Sequence, residues 1–330
     1  MEKRLHTNWT KANGGKQLMA AAGGGFTLIE LMIAMAISGV VLAAVYTAFN
    51  FQRQTHAGQR LRIEIQQNIR AAVTLMQRDI RMAGYDASWQ DANRDGRHDS
   101  RDVDLIDNDC DGGADGADPG QDEAGDLARF TAAGAHHLQF RLDRARNGDF
   151  CDSQDRIGFG FSTTNDRNRD GIADAGSAPL GRSVGAGGLQ PLAESLQAVS
   201  FGYAFDDDSG AADVDGEIDA NGSNVIWAFD SNADGFLDMQ LDSNADGLVD
   251  RADDLDGNGR IDDATLSPAV PINRIRAVQI WLLARTRLPL RDRLDTKTYV
   301  VGDKVLSFND HYRRELLTTI VDCRNLGLRR

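Results

Sequence analysis

Residues 25–30 read Gly25-Phe26-Thr27-Leu28-Ile29-Glu30, and the apolar run they open continues to about residue 51. Between 26 and 49 the one formal charge is Glu30. About 20 apolar helical residues cross the roughly 30 Å hydrocarbon core of a bilayer, so this run is long enough to span one. A carboxylate inside such a span is costly and ordinarily has a partner. Glu30 is therefore the anomaly in the run, and we read it as functional.

The six residues resemble the processing site of type IV prepilins. The resemblance implies a membrane peptidase that cuts between Gly25 and Phe26, N-methylation of the new terminus, and pairing of Glu30 with the free amine of a neighbouring subunit. One feature departs from the family pattern: the basic residue often found before the glycine is missing, Ala20, Ala21, Ala22, Gly23 and Gly24 stand there, and Lys16 is the nearest cation. On this reading 1–25 is a leader and 26–51 a transmembrane or filament-core helix. The apolar run follows the cut, so unlike a secretory signal it stays in the mature chain. The bland rival is a signal anchor with a stray glutamate.

The 330 residues allow one large domain or two small ones beyond the helix. The net charge of −14 includes a leader with Lys3, Arg4, Lys11 and Lys16 against Glu2, so its removal leaves −17. So acidic a chain has no basic face for phosphates, which excludes nucleic acid as a partner. The leader's cations stay cytoplasmic, which puts the C-terminal domain in the periplasm. In that oxidising compartment the three cysteines give one bridge and one leftover thiol. Cys110 with Cys151, closest in sequence, is the favoured pair, and either pairing with Cys323 stays open.

After the apolar run the pattern turns amphipathic. Leu61, Ile65, Ile69, Val73, Met76, Ile80 and Ala83 recur every three or four residues, with no proline and with Gly84 as a C-cap. The helix is therefore expected to run unbroken from 26 to 83, its half from 52 to 84 packing on a globular domain. Strands are expected at 136–142, 156–161, 196–205, 224–229, 275–284, 297–301 and 315–323. Near the end, Leu316, Thr318 and Ile320 should face one side and Leu317, Thr319 and Val321 the other. The fold class is α+β: a long N-terminal helix on an antiparallel sheet. Three segments, QQNIRAAVTLMQRDIRMAGY from Gln66, RIRAVQIWLLARTR from Arg274 and YRRELLTTIVDCRN from Tyr312, resemble PilW-type minor pilins of type IV pilus assembly. The sheet domain is divided as 128–205 and 266–330, with acidic insertions at 85–127 and 206–265.

The insertions and the loop after 165 follow one grammar: Asp, then Asp or Asn two and four residues on, Gly next, and Asp at position 9. Six cassettes fit. They are Asp91-Asn93-Asp95-Gly96-Asp99, Asp107-Asp109-Asp111-Gly112-Asp115, Asp166-Asn168-Asp170-Gly171-Asp174, Asp230-Asn232-Asp234-Gly235-Asp238, Asp242-Asn244-Asp246-Gly247-Asp250 and Asp254-Asp256-Asn258-Gly259-Asp262. Ca²⁺ takes six to eight oxygens, and a chain wrapped around it offers side chains at 1, 3, 5 and 9 and a backbone carbonyl at 7. Those carbonyls belong to Arg97, Gly113, Ile172, Phe236, Leu248 and Arg260. Position 12 is Asp102, Asp118 and Asp253 in three cassettes, and Ser177, Leu241 and Thr265 in the others. Calcium, several ions of it, is the expected cofactor, and zinc is not, because the ligands are oxygens without His or Cys. The last three cassettes abut every 12 residues, which leaves no room for EF-hand helices. Residues 107–112, DNDCDG, look more like a thrombospondin type 3 repeat, so stacked loops with little regular structure are expected.

No enzyme is expected. Gly181-Arg182-Ser183-Val184-Gly185 fits G-x-S-x-G but follows Ala178-Pro179, and we read it as a loop rather than a nucleophile elbow. His136 and His137 are adjacent on an expected strand and point to opposite faces, so they cannot share a metal. The resemblance implies a minor pilin, stored in the inner membrane and then packed into an extracellular pilus, where it primes assembly or forms the tip. Its implied partners are the prepilin peptidase, the inner-membrane assembly platform, the major pilin, other minor pilins and a tip adhesin. The rivals are a minor pseudopilin of a type II secretion system and a membrane-anchored, calcium-dependent adhesin.

Overall fold

The computed structural model describes residues 25–85, 129–146, 152–207, 217–290 and 293–326. The chain divides into two compact units, Met1–His56 and Ala57–Arg330. One helix, α1, runs Leu28–Arg81. In the first unit its side chains are exposed throughout 28–49, Phe26, just before it, is 87% exposed, and the span's mean hydropathy reaches 2.4.

In the second unit α1 buries the stripe that its periodicity marks out: Ile65, Ile69, Val73, Met76, Ile80 and Ala83. Burying each of the larger ones contributes about 1.5–3 kcal/mol. Their partner is an antiparallel sheet. Its strands in chain order are β1 Phe130–Ala133, β2 Leu138–Arg141, β3 Arg156–Gly160, β4 Ala178–Val184 and β5 Gln190–Phe205. After the short pair β6 Ala220–Asn221 and β7 Asn224–Val225 come β8 Ala228–Phe229, β9 Phe236–Gln240, β10 Ala264–Pro271 and β11 Ile275–Arg285. The hairpin β12 Thr298–Val301 and β13 Lys304–Ser307 precedes β14 Arg314–Asp322.

The long strand β5 is the hub. Its first part pairs with β4 (Leu180 opposite Ala193), and its second with β11 (Val199 opposite Leu282, Phe201 opposite Ile280). Near its end Tyr203 meets Ala228 of β8. On its other edge β11 pairs with β14, Ile280 opposite Thr319. The helix-facing side is fixed by cross-links: Gln77 Nε2 donates to Thr319 Oγ1 at 3.0 Å, Gln66 Nε2 to Glu315 Oε1 at 3.2 Å, and Arg182 Nε to Asp79 Oδ2 at 2.7 Å. The opposite face is covered too, since Gly202 lies against Leu241 and Trp281, and Gly302 against Ser200 and Trp281. Burial on both faces explains why β11 reads as a nearly continuous apolar run.

α1 ends in a tightened turn, Met82 N to Asp79 O and Ala83 N to Ile80 O, both 3.0 Å. Gly84 then takes φ +68° and donates to Arg141 O at 2.9 Å, and a side chain there would run into Leu326. This is the glycine C-cap expected from the sequence.

Several expectations are corrected. The span 206–265 is no plain insertion, because it supplies β8 and β9 to the main sheet through buried Ala228, Phe229 and Leu237. The G-x-S-x-G segment is not a loop: Gly181 to Val184 lie on β4, with Ser183 opposite Gly158, and the chain turns back towards β5 at Gly185. No helix follows the serine, so the elbow geometry is missing. His136 and His137 sit in the turn between β1 and β2, not on a strand.

In that turn His136 Nε2 lies 2.8 Å from Asp303 Oδ1, and Lys304 Nζ donates to Asp303 Oδ2 at 2.6 Å. The β12–β13 hairpin is thereby pinned to the β1–β2 turn. Burial alone would raise the Asp303 carboxyl, but the hydrogen bond and charge of His136 and the charge of Lys304 outweigh it and hold it below its ordinary range. A depressed carboxylate stabilises the fold above its unfolded pKa of about 3.9 and loses that contribution as pH falls through its folded value. Urea unfolding of the detergent-solubilised chain at pH 7 and pH 3 should show the difference. Asp303→Asn should destabilise at pH 7, and its effect should shrink as pH falls below about 4 towards the folded value. Ile80→Ala should cost about 2–5 kcal/mol in the same assay, while exposed Ile63→Ala should stay within about 0.5 kcal/mol.

Candidate functional site

Two candidate sites emerge, one at the start of α1 and one in the acidic loops. At the helix start Thr27 Oγ1 accepts from Glu30 N at 3.3 Å, and Thr27 N donates to Glu30 Oε2 at 3.4 Å. This is a reciprocal capping box, and it places a carboxylate in the first turn, where the helix dipole favours it. The sequence signal for it was the Thr27-x-x-Glu30 spacing. Gly25 has open space around the position a Cβ would take. Nothing within the described fold requires glycine there.

Four of the six cassettes fall within the described residues, and they share one backbone course. The position-1 carboxylate accepts from the position-6 glycine N–H in all four: Asp166 from Gly171 at 2.9 Å, Asp230 from Gly235 at 3.0 Å, Asp242 from Gly247 at 2.7 Å and Asp254 from Gly259 at 3.0 Å. Position 5 accepts from position 7: Asp170 from Ile172, Asp234 from Phe236, Asp246 from Leu248 and Asn258 from Arg260. Positions 4 and 6 are left-handed, as at Ala233 (φ 63°) and Gly235 (φ 89°), or Ala245 (φ 62°) and Gly247 (φ 89°). Asn168, Asn232 and Asn244 stand at position 3, and Asn232 Oδ1 and Asn244 Oδ1 each accept from the position-5 N–H at 2.9 Å.

A second carboxylate closes each loop, and here the sequence register gives way to geometry. Asp174 and Asp238, at position 9, accept from Arg167 N and Ser231 N at 3.2 and 2.8 Å. In the third loop Asp253, at position 12, accepts from Asn244 N at 3.2 Å, and Asp250 instead caps the 3-10 turn Arg251–Asp253. In the fourth, Asp263 accepts from Leu255 N at 2.8 Å, rather than Asp262 one residue before it. Carboxylate oxygens of Asp254, Asp256 and Asp263 all lie within 4.8 Å of one another. Asp254 Oδ1 is buried with no hydrogen-bond partner. Burial pushes Asp253 above the ordinary carboxylate range, and the charge of Asp242 adds to the shift.

Position 8 is apolar in all four: Ala173 and Leu237 are buried in the core, Val249 packs against it, and Ile261 is buried outside that cluster. Loops one and four also dock by backbone, Ala173 N to Gln197 O and Ile261 N to Asp303 O, both 2.9 Å. An apolar residue two after the glycine was the signal that could have shown this. The cassettes from Asp91 and Asp107, with Asp102 and Asp118, lie outside the described residues, as do Cys110 and Cys151. Cys323 is a buried free thiol whose pKa burial pushes up, so it is unreactive there.

Residues 23–46 match the family model described as the prokaryotic N-terminal methylation motif. No curated protein matches the chain. Among solved structures the chain is similar to the type IV-like pilin TTHA1219 from Thermus thermophilus, at 13% identity and a TM-score of 0.33, over 79% of this chain and 97% of that one.

Proposed function

We propose that this chain is a prepilin, of the PilW type among minor type IV pilins, cut between Gly25 and Phe26 and built into a pilus where it primes assembly or forms the tip. The observation that carries this is the methylation motif, whose residues 23–46 take in the start of an exposed apolar helix. Side chains such as Ile29, Ile33, Ile37 and Val41 are more than half exposed, and so long an apolar surface is unstable in water. A bilayer before assembly, and neighbouring subunits' helices after it, would cover it. Gly25 supports the reading because the fold gives it no packing duty, whereas a peptidase approaching the backbone needs a small residue. Prepilin peptidase, the assembly platform, the major pilin and other minor pilins are then its partners, and the second unit lies outside the inner membrane.

Calcium is the second part of the proposal. The donor set is all oxygen, three carboxylates converge at Asp254, Asp256 and Asp263, and one buried oxygen of Asp254 has no partner. A divalent cation would satisfy that oxygen and cancel the repulsion. When bound, it would hold the loops 166–174, 230–238, 242–253 and 254–263 in a course their own carboxylates already outline. Sites outside the cell need affinities of only about 10⁻⁴ to 10⁻³ M.

Two experiments test these readings. Gly25→Leu should leave a full-length membrane form, while Glu30→Val should be cut normally yet drop out of sheared pili; normal processing of the first or normal recovery of the second overturns the role given to that residue. For calcium, chelation should expose 230–263 to protease before β5 and β11. Asp254→Ala with Asp263→Ala should lower the calorimetric count by one ion. No binding at millimolar calcium would refute the metal reading and leave the prepilin reading standing.

A further inference from the structure

A concentration of positive charge lies beside a cavity where the end of α1 meets β2, β3 and β4. A cavity of about 470 Å³ opens there, lined by Arg78, Arg144, Arg146 and Arg182 against Asp79 and Asp143. In a chain of net charge −14 this local excess runs against the whole. Arg182 is held by Asp79 at 2.7 Å. Arg78, Arg144 and Arg146 are exposed, and among the described residues their guanidinium groups make no hydrogen bond or ion pair. The apolar side chains within reach are Met82, 36% exposed, and half-buried Leu75, while Leu142 and Ile157 lie behind them in the core.

We infer that this cavity is a docking site for an acidic peptide segment of a partner protein, with an apolar side chain against Met82 and Leu75 and one or two carboxylates held by Arg78, Arg144 and Arg146. The size suits two or three residues, since small-ligand sites run to roughly 300–1,000 Å³. Guanidinium groups bind carboxylates bidentately, which adds geometric specificity to the charge attraction. Nucleic acid or another long polyanion is disfavoured. Beyond the cavity it would meet the chain's own negative field, which acts over about 8 Å at physiological salt. A bare phosphate would leave Met82 and Leu75 unused. The inference rests on the cavity alone and does not depend on the chain entering a pilus.

The test uses the full chain in detergent, in calcium-free buffer so that no metal bridges peptide and loops. The probe is a fluorescein-labelled hexapeptide alternating Leu and Asp, compared by fluorescence anisotropy with its Leu-Asn counterpart. The acidic peptide should bind at least about tenfold tighter, more weakly as salt rises, and excess inorganic phosphate should compete poorly. Arg144→Ala with Arg146→Ala should weaken binding about tenfold or more without changing the thermal unfolding midpoint, because both side chains are exposed. Met82→Ser, at an exposed position, should weaken both peptides alike. Equal binding of the Asp and Asn peptides, no binding of either, unchanged affinity in the double arginine variant, or efficient competition by phosphate would each overturn the proposal.

Discussion

The stripe Ile65, Ile69, Val73, Met76 and Ile80 must leave water, and β5, β11 and β14 are the surface that takes it. Five buried side chains of this size contribute on the order of 10 kcal/mol, an upper figure because an unfolded chain is already partly compact. That equals the whole net stability of an ordinary domain, about 5–15 kcal/mol. The central strands can receive the helix only if their other face is also covered. Gly202 and Gly302 let Leu241, Trp281 and the β12–β13 turn approach closely enough to do that. Removing the helix would thus uncover one face of a sheet whose central strand has no polar side to present.

The acidic loops solve a different problem with the same economy of parts. A segment with few apolar side chains cannot fold by burial, and here carboxylates stand in for strands by accepting backbone N–H groups. Asp230 alone takes the N–H groups of Ala233 and Gly235, at 2.6 and 3.0 Å, and lies within 3.3 Å of two more. The first two loops send their position-8 residues, Ala173 and Leu237, into the common core, the third packs Val249 against it, and the fourth buries Ile261 beside Asp303. The loops are consequently part of the sheet domain and not pendants from it, and β8 and β9 grow directly out of them.

The helix, its cap at Gly84 and strands β11 and β14 were legible because long apolar periodicities survive any local context. Strand β4 was hidden by Pro179 and Gly181, which read as a breaker pair. Strand β10 was hidden by Pro268 and Pro271, and β9 by the Asp cassettes on either side of it. Cassette spacing marked the sharp turn at the glycine, while it offered positions 1 and 5 as metal ligands and did not show that they accept backbone N–H groups. It could not choose between Asp262 and Asp263, or give Asp253 precedence over Asp250. Those choices depend on where the chain goes after the loop, which is set by docking at Asp303 and by the 3-10 turn, both outside the motif.

Glu30 shows how one carboxylate can serve two structures. In the isolated chain Oε2 takes the Thr27 N–H and fixes the start of α1, while Oε1 has no partner among the described residues. A cap of this kind contributes about 1 kcal/mol. An unpaired carboxylate within an apolar span is costly and ordinarily finds a partner, and one capping hydrogen bond leaves its other oxygen unsatisfied. Under the proposed processing a positive amine appears on Phe26, and pairing it with the free Oε1 of a neighbour would leave the capping bond in place. The helix start need not be rebuilt for the subunit to dock. That separation of tasks between two oxygens of one side chain is available to glutamate at this spacing and not to valine or glutamine, which lack the charge.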